Sequence, residues 1–131
     1  MDKEKKSEKL KERTKAFAHR CVKFALSLPD HALGRVISRQ LLRCSTSVAS
    51  NYRAACLAQS TAAFVAKISV VLEETDESWF WIDFAADEGL VERSLVADLL
   101  READELTAIF YASRKTATGK PNRTEDEDAD I

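Results

Sequence analysis

Four acidic side chains close together in the sequence, Glu73, Glu74, Asp76 and Glu77, have the types and spacing that could support chemistry. Clustered carboxylates can bind metal ions or transfer protons. Di-metal sites in helical bundles, however, combine carboxylates from several facing helices with Glu-x-x-His pairs. The sequence contains no Glu-x-x-His pair. We therefore expect no metal site, no cofactor and no catalytic residues.

The cysteines and histidines are too dispersed to suggest a different chemistry. Cys21, Cys44 and Cys56 are odd in number and widely spaced, which is typical of free thiols buried in a reducing cytosol. Zinc sites need closely spaced Cys or His ligands, whereas His19 and His31 stand alone. No phosphate-binding glycine loop or nucleophile elbow is present. We expect a protein that is not an enzyme and has no small-molecule substrate.

The composition predicts one all-α domain. Hydrophobic residues make up 45% of the 131 residues and charged residues 32%, with only three Gly and two Pro. Strands joined by tight turns would need more turn residues. No apolar run reaches the roughly 18 residues of a membrane span, and the Lys- and Glu-rich start does not resemble a secretory signal. These features favour a cytoplasmic protein without a membrane partner.

Apolar residues at three- and four-residue intervals predict four helices, over about 8–28, 32–58, 61–87 and 92–115. Pro29 ends the first helix, Gly89 closes the third, and Leu95 begins the apolar face of the fourth. Long helices with short connections pack most simply as an up-down-up-down antiparallel four-helix bundle. We assign this bundle to residues 8–117, preceded by a charged tail (1–7) and followed by a disordered acidic tail (118–131).

The second predicted helix carries two features opposite one another. One face is apolar, and a row of arginines, which we call the arginine row, occupies the other: Arg35, Arg39, Arg43 and Arg53. Asn51 interrupts the apolar face among small residues that include Ser47. A buried Asn needs hydrogen-bond partners. We therefore expect Asn51 and Ser47 to form a polar part of the core, with the Asn51 amide bonded to a neighbouring helix.

The third predicted helix has a second line of residues beside its main core face, roughly 100–150° away on a helical wheel. This second line consists of Lys67, Val70, Glu74, Glu77 and Trp81. A large aromatic residue beside spaced charges is typical of a protein–protein contact, where the charges can pair across the interface. The alternative is a wide core face with Trp81 half-covered by a neighbouring helix. We favour self-association through this line.

The charge is divided unevenly along the chain. Residues 1–60 carry 13 Lys/Arg and 5 Asp/Glu, whereas residues 61–131 carry 7 and 17, so that the formal net charge is −2. Two classes of function are consistent with this division. The halves can neutralise each other in an oligomeric scaffold or adaptor, or the arginine row and the first-helix lysines can bind RNA or DNA.

Several segments together resemble the bacterial four-helix-bundle proteins known as 23S rRNA intervening-sequence proteins, over about residues 13–117. The segments that carry the resemblance are Gln40–Arg43, Ser47–Ala55, Ser60, Phe64, Lys67, Glu74–Glu77, Trp81 and Glu102–Leu106. The resemblance implies a ring-like homopentamer. It also implies relatives that are encoded within ribosomal RNA genes, or that assist the reverse transcriptases of diversity-generating retroelements. Those accessory relatives are basic and bind nucleic acid, whereas this chain is slightly acidic.

Overall fold

The structure, a computed structural model, describes residues 2–119. Over these residues the chain forms four helices: α1 (Lys3–Ser27), α2 (Ala32–Ala55), α3 (Thr61–Asp87) and α4 (Arg93–Thr118). Each helix packs against the next one in the chain, and α4 meets α1 more loosely. The start of α1, the end of α2, the start of α3 and the end of α4 line one cavity and so lie at the same end. The predicted all-α bundle is confirmed.

Three helix ends differ from the predicted ones by more than one residue: the start of α1 and the ends of α2 and α4. α1 begins at Lys3, because Asp2 caps it by accepting a hydrogen bond from the Lys5 amide at 2.8 Å. α1 therefore begins five residues before the predicted start at residue 8 and includes most of the segment assigned as a charged tail over residues 1–7. α2 ends three residues early, at Ala55, and α4 extends to Thr118. Of the predicted acidic tail, residues 120–131 lie outside the described part of the chain.

The core is built from the predicted apolar faces. Its largest fully buried side chains are Phe17, Ile37, Leu41, Ile68, Ile82, Leu106 and Phe110. Burying a side chain of this size stabilises the fold by about 1.5–3 kcal/mol. Leu95 was expected in this core, but it is 76% exposed. It lies in the first turn of α4, beside Val96 rather than on the buried face that Val96 begins.

A close backbone approach fixes the turn between α1 and α2. His31 caps α2, since its Nδ1 accepts a hydrogen bond from the Gly34 amide at 3.0 Å. Gly34 is buried against the turn, and a Cβ atom placed on it would lie only 1.9 Å from the Pro29 carbonyl oxygen. Backbone atoms cannot move aside as a flexible side chain can. Position 34 therefore has no room for a side chain larger than that of glycine.

An ion-pair cluster joins α1 to α4 where these helices pack loosely. The Arg13 guanidinium contacts Glu102 through Nε at 2.8 Å and Nη2 at 2.7 Å, and it also reaches Glu105 at 3.2 Å. Hydrogen bonding to Arg13 holds the pKa of the Glu102 carboxyl below its ordinary value, against the opposing effect of burial. Two-point bonding of this kind favours one relative position of the helices.

Replacing Gly34 with Ala should lower the free energy of unfolding by about 2 kcal/mol, because the added methyl group has no space. Helix propensity alone would predict the opposite sign, a gain of about 1 kcal/mol. Urea denaturation followed by circular dichroism measures the difference. Ser50→Ala, at an exposed position of the same helix, is the control and should shift stability by less than about 0.5 kcal/mol. A Gly34→Ala variant as stable as the parent would contradict the steric account.

Removing the Glu102 charge should make stability less dependent on acid pH. A carboxyl whose folded pKa is depressed stabilises the fold above its unfolded pKa, about 4.3, and loses that contribution as the pH falls through the lower folded value. We expect Glu102→Gln to cost about 1 kcal/mol at neutral pH and almost nothing near pH 2. Denaturation curves across this range check the trend. Asp104→Asn, at an exposed position of the same helix, should leave the pH profile unchanged. An equal loss for Glu102→Gln at both pH values would argue against the ion pair.

Candidate self-association surface

The antiparallel contact between α2 and α3 is close because small side chains meet there. Cys44 of α2 and Ser78 of α3 are both completely buried, and the Ser78 hydroxyl lies 3.3 Å from the Cys44 sulfur. The same hydroxyl is 2.8 Å from the carbonyl oxygen of Glu74. These contacts place Arg43, the neighbour of Cys44, opposite the carboxylates on the adjacent side of α3.

A polar network crosses this contact at the protein surface. The Arg43 guanidinium bonds Glu74 at 3.0 Å, contacts Glu77 directly, and lies 3.3 Å from the side-chain oxygen of Gln40. Glu77 also accepts a hydrogen bond from the indole Nε1 of Trp81 at 3.1 Å. The hydrogen bond to Glu77 raises the pKa of Arg43 above its ordinary value. Three residues of the second line, Glu74, Glu77 and Trp81, are therefore joined to one member of the arginine row.

Next to this network the surface of α3 carries a cluster of three aromatic rings. The Trp81 ring centroid lies 4.9 Å from that of Phe80 and 6.0 Å from that of Phe84, and the two Phe rings stack at 5.6 Å. Phe80 is 45% exposed, whereas Trp81 and Phe84 are half-buried. Val70, two to three turns earlier, is 36% exposed. We call Val70, Phe80, Trp81 and Phe84 the α3 patch.

The α3 patch refines the sequence prediction in two ways. Trp81 is partly covered and packs against the core, as the alternative interpretation expected, so that it is not a freely exposed side chain. Phe80 and Phe84 were not among the predicted residues, although their spacing from each other and from Trp81 brings them together on one helix. Lys67, the first residue of the second line, is exposed. The charges expected to pair across an interface, Glu74 and Glu77, instead pair with Arg43 of the same chain.

The predicted polar pair of α2 is only half-buried. The Asn51 amide donates to the Ser47 hydroxyl at 2.8 Å and to the Ser47 carbonyl at 3.1 Å, one turn earlier on the same helix. These partners differ from the neighbouring helix that was expected, because Asn51 lies at the edge of the buried face, where its own preceding turn is within reach. The antiparallel register places both residues beyond Arg43, on the part of α2 that faces the Val70 end of α3.

The four residues of the arginine row differ in whether they form ion pairs. Arg35 pairs with Asp30 at 3.0 Å, and Arg43 belongs to the network with α3. Arg39 and Arg53 are exposed, and no ion pair is found for either among residues 2–119. An incoming phosphate group would therefore meet two uncompensated guanidinium groups rather than four.

The buried thiols are unsuited to nucleophilic chemistry. Burial raises the pKa of Cys44 to about 11 and raises the pKa of Cys21 further, which keeps both protonated at neutral pH. Cys56 is half-buried, and all three cysteines are free. Among residues 2–119, no group of three or more His, Cys, Asp or Glu side chains is arranged to hold a metal ion. In the same part of the chain, none of the helices has the length and apolar character needed to cross a membrane.

Comparisons with known proteins identify the relatives of this bundle. A search of curated proteins finds no match. One similar solved structure is a protein of unknown function from the S23 ribosomal protein family of Bacteroides thetaiotaomicron, with 26% sequence identity and a TM-score of 0.73. The alignment covers 80% of this chain and 97% of that one. The sequence model described as 23S rRNA-intervening sequence protein matches residues 6–112. The chain therefore belongs to the 23S rRNA-intervening sequence protein family.

Proposed function

We propose that the protein acts without catalysis, as an oligomeric scaffold or adaptor whose copies associate through the α3 patch. The observation that carries this proposal is the aromatic cluster of Phe80, Trp81 and Phe84, which remains partly exposed beside a charge network complete within one chain. Clustered aromatic residues next to polar groups are typical of the energetic centre of an interface.

The network supports this role by holding the aromatic residues in place. The bond from the Trp81 indole to Glu77 fixes the ring, and Glu77 is itself held by Arg43. A side chain that is already ordered loses less conformational entropy when a partner covers it. Glu77 and Arg43 thus orient Trp81 within each copy. Lys67, which is exposed on the second line, remains available to pair with a charge on the next copy.

Burial of the exposed parts of the rings would drive the association. Each partly exposed aromatic ring or Val70 contributes about 1 kcal/mol when covered, less than the 1.5–3 kcal/mol of a side chain that starts fully exposed. If the α3 patch meets a different surface on the next copy, the contact is heterologous and forms a ring when its rotation closes. A ring of five copies is the arrangement implied by the family resemblance, and we propose it as the assembly.

The three free thiols, of which Cys21 and Cys44 are kept protonated by burial, favour a non-catalytic protein in the reducing cytoplasm. The partner of such a scaffold would be a further protein or a nucleic acid. The pairing of Arg43 with α3 favours the protein-scaffold class, because it removes one of the four arginines that a nucleic-acid site would use.

Placing a charge on the α3 patch should dissociate the assembly. We expect the wild type to show a multiple of the 14.7 kDa chain mass in light scattering at micromolar concentration, and Phe80→Glu to shift it toward the monomer. Tyr111→Glu introduces the same charge at a 55%-exposed aromatic residue of α4 and should leave the mass unchanged. Circular dichroism should show equal helicity in all three proteins. A wild-type mass near 14.7 kDa, or equal dissociation by both variants, would refute the proposed interface.

The second candidate, nucleic-acid binding, is favoured by the two uncompensated arginines. If RNA or DNA binds α2, Arg39→Ala combined with Arg53→Ala should weaken binding and reduce the slope of log K against log salt by about 1.4–1.8, the value for two lost phosphate contacts. Arg101→Ala with Arg93→Ala, which removes two α4-side arginines held in ion pairs, is the matched control. Filter binding across salt concentrations measures both slopes. Binding that is insensitive to salt, or equally weakened by the control, would contradict this site.

A further inference from the structure

A groove opens between α1 and α4 at the end of the bundle where α1 begins. Its volume is about 1000 Å³. The floor is apolar and includes Tyr52, Phe64, Ile109 and Ala112. Tyr52 is 5% exposed, and burial raises the pKa of its phenol, so that the floor carries no charge at neutral pH. The groove exists because α1 and α4 pack most loosely of the neighbouring helices.

The wall contributed by α1 is basic. The core-facing positions of α1 run from Phe17 through Thr14 to Leu10, and the same face continues through Ser7 to Lys3. Lys3, Lys6 and Lys9 all line the groove, accompanied by a single acid, Glu4. The core-facing side of α1 therefore carries lysines at its amino-terminal end, next to the apolar floor of the groove. An occupant that matches it must be acidic and must also carry some apolar surface.

The chain itself continues from this groove. Ser113, Thr116 and Ala117 in the last turns of α4 line the groove, and the sequence then runs through residues 120–131. Five of the six residues in 125–130 are acidic, and the sixth is Ala129. We propose that this acidic segment, residues 125–130, docks in the groove, with its carboxylates beside Lys3, Lys6 and Lys9 and Ala129 toward the apolar floor.

Distance and concentration both favour this occupant. The six residue-to-residue steps from Gly119 to Glu125 can span about 20 Å, whereas the lysines of α1 occupy about 9 Å of helix. A short tether of this kind gives an effective concentration in the millimolar range, which allows weak surface ion pairs to hold the segment. Such pairs are screened by salt. We therefore expect docking of the segment to weaken as the salt concentration rises.

A crosslink between the segment and the groove tests the proposal in the full chain. Cys56 lines the groove, while Cys21 and Cys44 are completely buried, so that a thiol introduced by Ala129→Cys has one accessible partner. The effective concentration of the resulting intramolecular disulfide is measured at equilibrium in a glutathione buffer. We expect this effective concentration to fall about fivefold, the combined effect of three weak ion pairs, when the Ala129→Cys chain also carries Glu125→Gln, Asp126→Asn and Glu127→Gln. Glu12→Gln, Glu88→Gln and Asp104→Asn remove the same charges from exposed sites that do not line the groove and should have no effect.

The reciprocal variants separate docking from a general charge effect. Lys3→Gln, Lys6→Gln and Lys9→Gln should reproduce the fivefold loss, whereas Lys5→Gln, Lys15→Gln and Lys23→Gln, on exposed positions of the same helix outside the groove, should not. The difference should vanish near 1 M salt. Equal effective concentrations in all variants would overturn the proposal. A disulfide yield that rises with protein concentration would overturn it as well, because a second copy would then supply the occupant.

Discussion

The close antiparallel packing of α2 on α3 is the constraint on which the remaining surface features depend. Because Cys44 and Ser78 are small, the helices approach near enough for Arg43 to reach past them to Glu74 and Glu77. Larger residues at either position would separate the backbones and break that network. Glu77 would then lose its cation and Trp81 its fixed hydrogen bond. Buried small residues and exposed charged ones thus act as one structural unit.

Contacts between helices also account for the uneven distribution of charge along the sequence. The basic first half and the acidic second half meet inside one folded chain, through Arg43 with the α3 carboxylates and through Arg13 with Glu102 and Glu105. Neutralisation was expected between copies in an assembly, but it already occurs within each copy. An interface can then rely on apolar and aromatic surface, which is what the α3 patch presents.

The sequence predicted the four helices and most of the core because hydrophobic periodicity is a local property of each segment. It misplaced the start of α1 because a single cap, Asp2, outweighs the polar character of the first turns. It assigned Arg43 to a solvent-facing row because a helical wheel treats each helix alone. A long side chain can reach an adjacent helix from a flanking position. Two other misassigned residues have their partners on their own helices: Phe80 packs against Trp81 and Phe84, and Asn51 bonds Ser47. Hydrophobic periodicity does not determine these individual side-chain contacts, whether they lie within one helix or between two.

The loose contact between α1 and α4 has a consequence for motion in the folded protein. The other three neighbouring helix pairs are closely packed, whereas α1 and α4 meet at few positions, among them the Arg13 cluster, and α1 begins beside an open groove. Local opening begins where few apolar contacts oppose it. Backbone amides in the first turns of α1 should therefore exchange with solvent through small fluctuations that leave α2 and α3 intact. Such opening should stay confined to the first turns of α1, because the rest of this helix packs closely on α2.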